Sequence, residues 1–282
     1  MTTMDTTTKP RHHMSTRNRI LFFVTAWLIV LMPFLFWWNT WFGRTLTDKQ
    51  MTTYLNDEAH PRKIQHALVQ MGERMGRSDP AVKQWYPRVV QLASSKVAEV
   101  RNTDAWVMGQ TNTVPAFHEA LLGMLNDPSL MVRGNAALSL VRFGDATGRP
   151  QIVGLLQPAV VMAPKSGKVI DAAGVGTAIR EGGLVVKLQA GDQVTEVRSP
   201  ITGRLRTLAA QTGQSVSEGA QIASVDPGIE QVWEALRALY LVGALEDLAA
   251  VNRYARDSAD IPDHVRKQAL ETAAAIEKRA SK

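Results

Sequence analysis

The chain changes its rhythm of apolar and polar residues three times. From Ile20 to Phe42 it reads ILFFVTAWLIVLMPFLFWWNTWF, 23 residues without a charge. At about 1.5 Å per helical residue that run spans a hydrocarbon core of roughly 30 Å with some tilt. From residue 43 to 158 apolar residues recur at helical spacing. Between 159 and 226 they shorten into brief runs separated by glycine turns, the mark of a compact all-β unit. From 227 to 282 the helical period returns. The pattern predicts an α+β multidomain chain: a basic tail over 1–19, a transmembrane helix over 20–42, helical units over 43–158, a β insert over 159–226 and further helical units over 227–282.

The helical segments repeat. Val100-Arg101 is followed 32 residues later by Val132-Arg133, and Val232 and Val265 (the latter with Arg266) stand 33 apart. Val132 and Val232 are 100 apart, which fits no helical repeat, but removing about 68 residues, Ala159 to Asp226, restores a step of 32. The stretch NDPSLMVRGNAALSLVRFGD, with its Asp-Pro turn, Val-Arg pair, small residues and closing Gly-Asp, resembles a HEAT repeat. A looser unit begins at HPRKIQHALVQMGERM, with PAVKQWYPRVVQLASS expected as its partner helix. The resemblance implies an α-solenoid interrupted by an inserted domain, with its two flanks packed together. Helical repeats of this kind offer extended binding surfaces.

The insert is itself a duplication. Ala163-Pro164-Lys165-Ser166-Gly167 recurs as Ser199-Pro200-Ile201-Thr202-Gly203, and Gly176 and Glu181-Gly182 recur as Gly213 and Glu218-Gly219. Glycines at matching places suggest positive-φ turns. The two-half pattern resembles the biotinyl/lipoyl-like barrel-sandwich hybrid. In carrier members of that family a hairpin tip between the halves presents the modified lysine. Here the corresponding stretch, Gln189, Ala190, Gly191, Asp192 and Gln193, holds a Gly-Asp turn and no lysine, while Lys187 falls inside the preceding strand. The resemblance therefore implies a non-carrier member with no covalent cofactor. It is also distantly similar to periplasmic adaptor (membrane-fusion) proteins of efflux and secretion pumps. Those carry a long helical hairpin between the halves, whereas about ten residues join them here.

Charge and composition narrow the function. The net charge is +6 without a basic stripe interleaved with aromatics, so nucleic-acid binding is not expected. There is no cysteine, which excludes disulfides and thiolate metal sites. Lys9, Arg11, Arg17 and Arg19 precede the apolar run, opposed by Asp5, and Arg44 and Lys49 follow it. The positive-inside rule then sets the N-terminus in the cytoplasm and the bulk in the periplasm or on the outer face of an inner (plasma) membrane. Trp37, Trp38 and Trp41 crowd one end as interfacial aromatics, in place of the small residues of a cleavage site. His60 and His66 are six apart, off the spacing of helical metal ligands; His12, His13, His118 and His264 also lack partners in sequence. Asp79, Asp127 and Asp145 read as turn or cap residues, and Met71, Met75, Met108, Met124 and Met131 as core. No catalytic residue, metal ligand or cofactor is expected. The chain is expected to be a single-pass membrane scaffold that binds partner proteins of a membrane complex and can form a homo-oligomer. The alternatives are an adaptor subunit of a transport system or a biotin/lipoyl carrier subunit.

Overall fold

The computed structural model describes residues 15–41 and 45–281, without the side chains of residue 19 and residues 35–41. It divides into two units, 1–47 and 48–282. In the first, α1 (Thr16–Trp41) is one helix of 26 residues, about 39 Å at 1.5 Å per residue. Its Thr16–Phe34 part is long and apolar enough to cross a membrane, and none of it is buried. Thr25 donates its hydroxyl to the Leu21 carbonyl at 2.8 Å, so this hydroxyl is satisfied within the helix.

The second unit is mixed α and β. Its helices are α2 (Asp48–Leu55), α3 (Pro61–Gly76), α4 (Tyr86–Leu92), α5 (Ala98–Met108), α6 (Pro115–Met124), α7 (Leu130–Arg142), α8 (Arg149–Gly154), α9 (Ile229–Val242), α10 (Leu248–Ala255) and α11 (Asp263–Ala280). They fall into a row, α2 on α3, α3 on α5, α5 on α7, α7 on α9 and α9 on α11, with α4, α6, α8 and α10 packed along it. Small residues allow the close approach. A Cβ placed on Gly109 would sit 2.3 Å from the Ser139 hydroxyl, which donates to the Ala105 carbonyl at 2.8 Å. Thr272 does the same to the Leu236 carbonyl at 2.9 Å.

One local expectation changes. The PAVKQWYPRVVQLASS stretch is a 3-10 segment over Pro80–Trp85 followed by α4, not one helix. Pro87 has no N–H to give to an upstream carbonyl, so it is accommodated only in the first turn of a new helix. At the Asp-Pro turn the two roles divide: Asp127 makes the turn by accepting from the Ser129 N–H, and Ser129 caps the helix, its hydroxyl accepting from the Val132 N–H.

Among the described residues the eight strands lie between α8 and α9: β1 (Ala159–Met162), β2 (Gly167–Ala172), β3 (Ala178–Ile179), β4 (Leu184–Ala190), β5 (Gln193–Arg198), β6 (Gly203–Leu208), β7 (Ser215–Val216) and β8 (Gln221–Pro227). They form two four-stranded sheets, ordered β1-β8-β6-β3 and β5-β4-β2-β7. Every strand takes the place in its sheet that its counterpart from the other half takes in the other sheet. The duplication in sequence is thus an approximate two-fold in space, with each sheet drawing strands from both halves. Buried residues match across it: Val169 with Leu205, and Leu188 with Val225, are all 2% exposed or less. Gly176 and Gly213 have φ of +87° and +95°, and their N–H groups donate to Leu205 and Val169 respectively, both at 2.7 Å. A side chain would strain that left-handed backbone.

The insert enters and leaves at one place, because Ala159 pairs with Val225 across β1 and β8. The helices on either side touch directly. Gln231 of α9 donates to the Leu155 carbonyl at 3.2 Å, and the Tyr254 hydroxyl to the Leu156 carbonyl at 2.8 Å. Leu130 and Met131, in the first turn of α7, pack against the insert's core. Met71, Met75, Met108 and Met124 are buried among the helices.

Candidate functional site

Two features of the described residues are candidate sites: the β4–β5 hairpin and a cleft in the helical row. The hairpin closes in two residues. Ala190 pairs with Gln193, leaving Gly191 and Asp192 as the turn. Gly191 alone of the two has positive φ (+59°), the pattern of a type II′ hairpin turn. Gln189 braces it by donating to the Gly191 carbonyl at 3.2 Å. Residues 189–193 are all exposed, so the tip presents an amide, a methyl, bare backbone, a carboxylate and a second amide.

Lys187 lies outside this tip. It sits across from Glu196 on β5 and Asp171 on β2, with its Nζ 4.0 Å from the Asp171 carboxylate. It is three residues short of the end of β4, about 10 Å along the strand. Two acidic neighbours and a mid-strand position give it the role of a cross-strand charge pair on an exposed sheet face.

The Val-Arg positions hold the helices together. Val100, Val132 and Val265 are fully buried. Arg101 grips the Asp127 carboxylate with two nitrogens, at 2.6 and 2.9 Å, and donates to the Ser95 carbonyl at 2.7 Å. Arg133 donates to the Asp127 carbonyl at 2.6 Å. Ser95 and Asp127 are each six residues upstream of their arginine, so the contact repeats at the 32-residue step. Arg266 bonds Asp257 and Asp263 instead, at 3.2 and 2.9 Å. Asp79, Asp127 and Asp145 each accept from the N–H two residues on. Burial pushes the Asp127 carboxyl upward, but the Arg101 fork and the Ser129 N–H outweigh it and hold it below the ordinary range.

The histidines serve as local braces. His118 meets the Asp145 carboxylate at 2.7 Å, His60 meets Asp57 at 2.7 Å and His66 meets Gln70 at 2.7 Å. His264 stacks edge-on against Trp233. Among the described residues no three metal-ligating side chains come together. His12 and His13 lie outside the described residues, as do the side chains of Trp37, Trp38 and Trp41, which fall in the last turns of α1.

The cleft was not singled out in the sequence. It is an open groove of about 630 Å³ where α7 meets α9, with α5 and α11 at its margins. Leu138 and Val141 line it from α7, Ala238, Tyr240 and Leu241 from α9, Trp106 from α5 and Glu271 from α11. Trp106, Tyr240 and Leu241 are 38%, 44% and 61% exposed. Its arginines are already engaged. Arg142 donates to the Gly109 carbonyl and the Gln110 amide oxygen at 3.1 and 3.2 Å. Arg237 pairs with Glu234 at 3.1 Å and lies over the Trp233 ring. Glu271 pairs with no cation among the described residues. The one signal available in sequence was a run of large apolar residues at the end of α9, LYLV, more than one buried face requires.

One buried acid stands apart. Asp104 of α5 is fully buried, and neither carboxylate oxygen has a hydrogen-bond partner. Burial pushes its carboxyl well above the ordinary range, against the weaker pull of Arg88.

No family model and no curated protein sequence matches the chain. Among solved structures it is similar to the urea carboxylase of Kluyveromyces lactis, with 18% identity and a TM-score of 0.24 over 24% of this chain and 6% of that one. It is similar also to a single-chain, multi-domain long-chain acyl-CoA carboxylase, with 17% identity and a TM-score of 0.25 over 49% of this chain and 14% of that one. The chain thus matches only a small part of either enzyme's length.

Proposed function

We propose that this chain is a membrane-anchored scaffold without catalytic activity, in which a HEAT-type helical solenoid and an unmodified biotinyl/lipoyl-like insert bind proteins of a membrane complex. The observation that carries the reading is the β4–β5 tip. It is built as a tight exposed turn, yet its two turn residues are Gly191 and Asp192; the nearest lysine in sequence, Lys187, is held mid-strand between Asp171 and Glu196, and Lys168 stands on the neighbouring strand β2 across from Gln189. A carrier needs its lysine free at the tip. The solenoid reading is supported by the row of helices and by the arginine-to-carbonyl contact repeated at the 32-residue step. The exchange of strands between the two halves supports the barrel-sandwich reading, and the apolar α1 supports a single-pass anchor.

The test is intact-mass spectrometry of the chain purified from its native membrane, with and without residues 159–226. The intact chain is expected to carry no biotinyl or lipoyl increment, and loss of the insert is expected to remove one copurifying protein. An increment at high occupancy on Lys187, Lys165 or Lys168 would replace the scaffold reading with the carrier reading.

A further inference from the structure

The duplicated insert carries its own control. β1 and β5 are outermost in their sheets and take equivalent places under the two-fold. Ala163 exchanges backbone bonds with Gly219 and Ala220, as Ser199 does with Gly182 and Gly183. Successive residues of a strand turn their N–H and C=O to opposite sides. The backbone groups of Val160 and Met162 in β1, and of Val194, Glu196 and Arg198 in β5, therefore point to the side where no strand lies.

The two edges are guarded differently. At β5 the outward positions hold Glu196 and Arg198, which bond each other and remain exposed. Charged side chains on an open strand keep it from pairing with another. At the equivalent positions β1 holds Val160 and Met162, each 49% exposed. No residue from 150 to 164 is charged. Open backbone groups beside exposed apolar side chains are a template for a further strand.

The residues around β1 select that strand. Pro158 and Pro164 stand equally far from Val161, both at outward positions, and proline has no N–H to give. A second β1 laid antiparallel, with Val161 facing Val161, brings Val160 against the second copy's Met162 on both sides of the axis. Each such pair can exchange both backbone bonds, and the prolines fall opposite each other, where no bond is asked of them. A slip of two residues either way sets a proline against Met162 or Val160 and loses a bond. Antiparallel pairing also keeps the bulk apart. α8 leads into β1 at its Ala159 end, so the helical units of the two copies lie at opposite ends of the joined sheets.

We propose that β1 is a self-association edge, through which two copies of this chain pair antiparallel about Val161 and join their four-stranded sheets into one. The proposal goes beyond the scaffold reading and does not rest on it. The four-residue strand is about 13 Å long, so the contact falls short of the roughly 1,600 Å² of a standard interface. The dimer is therefore weak in dilute detergent and gains from confinement of both copies in one bilayer.

The test uses the purified full chain reconstituted in lipid vesicles. The chain has no cysteine, so introduced thiols report alone. Val160→Cys and Met162→Cys chains mixed together are expected to form an interchain disulfide several-fold faster than either does alone, because only the mixed pair sets its Cα atoms within the roughly 4.4–6.8 Å that a disulfide spans. Val160→Lys, at a half-exposed residue, is expected to lower energy transfer between donor- and acceptor-labelled copies roughly tenfold, with an unchanged melting temperature. Glu196→Lys, at the equivalent place on β5, is expected to leave the transfer as it was. Equal disulfide rates in mixed and unmixed samples, transfer that survives Val160→Lys, or transfer lost in Glu196→Lys would overturn the proposal. So would chains that stay monomeric at high density in the vesicles; if Val160→Lys then also loses a protein that copurifies from native membranes, the edge belongs to a partner's strand and not to a second copy. Copurification tests the scaffold reading separately. A monomeric chain that still brings down a membrane complex leaves that reading standing, and a dimeric chain that brings down nothing removes it.

Discussion

Asp104 and Asp127 are two aspartates with opposite pH signatures. Asp104 is buried without a partner, so its folded-state pKa lies above its ordinary 3.8. The folded state then binds more protons than the unfolded one, and stability is fully present below about pH 4 and lost as pH rises through the raised pKa. Asp127 is held below the ordinary value, so its contribution is present above about pH 4 and lost as pH falls. Asp104→Asn removes the first effect alone. The native chain is expected to lose more of its urea midpoint between pH 5 and pH 8 than Asp104→Asn does; equal slopes would mean the carboxyl is hydrated and ordinary. At Asp127 the partner matters more than the charge. Arg101→Ala leaves a carboxylate with 7% side-chain exposure facing an empty site, and breaking such a pair costs on the order of 3 kcal/mol. Arg101→Lys recovers little of it, because an ammonium cannot span both carboxylate oxygens and the Ser95 carbonyl together. Urea denaturation of the two variants side by side checks both statements. The sequence could mark Arg101 and Asp127 by repetition, but the pairing joins the end of one unit to the start of the next, and periodicity alone does not tell which acid faces which arginine.

Among the elements, what repeats was readable and what joins was not. The positive-φ glycines at 176 and 213, and at 182 and 219, follow from two copies of one local pattern. The Gly191–Asp192 turn has no second copy, but it was readable because it needs only its two residues and their flanks. The break before α4 turns on Pro87, which opens a new helix there; a proline can open a helix as readily as end one, so the residue alone does not tell which. The cleft depends on how loosely α7 and α9 meet, a tertiary outcome that no window of sequence contains. The flanks of the insert lend themselves to a direct test. Since Ala159 and Val225 are paired neighbours and α9 already contacts the Leu155 carbonyl, the two ends are close enough for a short bridge. Replacing residues 159–226 with a few Gly and Ser residues is expected to leave a soluble helical protein that melts in one cooperative transition. Leu130 and Met131 at the start of α7 lose apolar cover and Arg253 of α10 loses its Asp226 partner, so a modest drop in melting temperature is expected. A broad, non-cooperative melt would show that the insert is part of the helical core.

At the scale of the whole molecule, the arrangement rests on which side of a membrane the folded unit lies, and sequence speaks to this through charge. Lys9, Arg11, Arg17 and Arg19 stand on one side of the apolar run, and Arg44 and Lys49 on the other. Basic residues close to a span are retained in the cytoplasm, and their number, not net charge, sets the orientation. Four against two is the ground for expecting a cytoplasmic N-terminus and a folded unit outside the cytoplasm. The absence of any native cysteine makes the question clean to ask, because a single introduced thiol has no background. Thr8→Cys places it in the basic tail, and Gln193→Cys places it at the exposed hairpin tip. In intact cells with the outer barrier opened, a membrane-impermeant maleimide is expected to label Gln193→Cys and to spare Thr8→Cys until the membrane is lysed. The reverse pattern would put the folded unit in the cytoplasm and move the search for its partners there. Labelling of both, or of neither, before lysis would mean that α1 does not span, leaving a surface-bound or cleaved segment in its place.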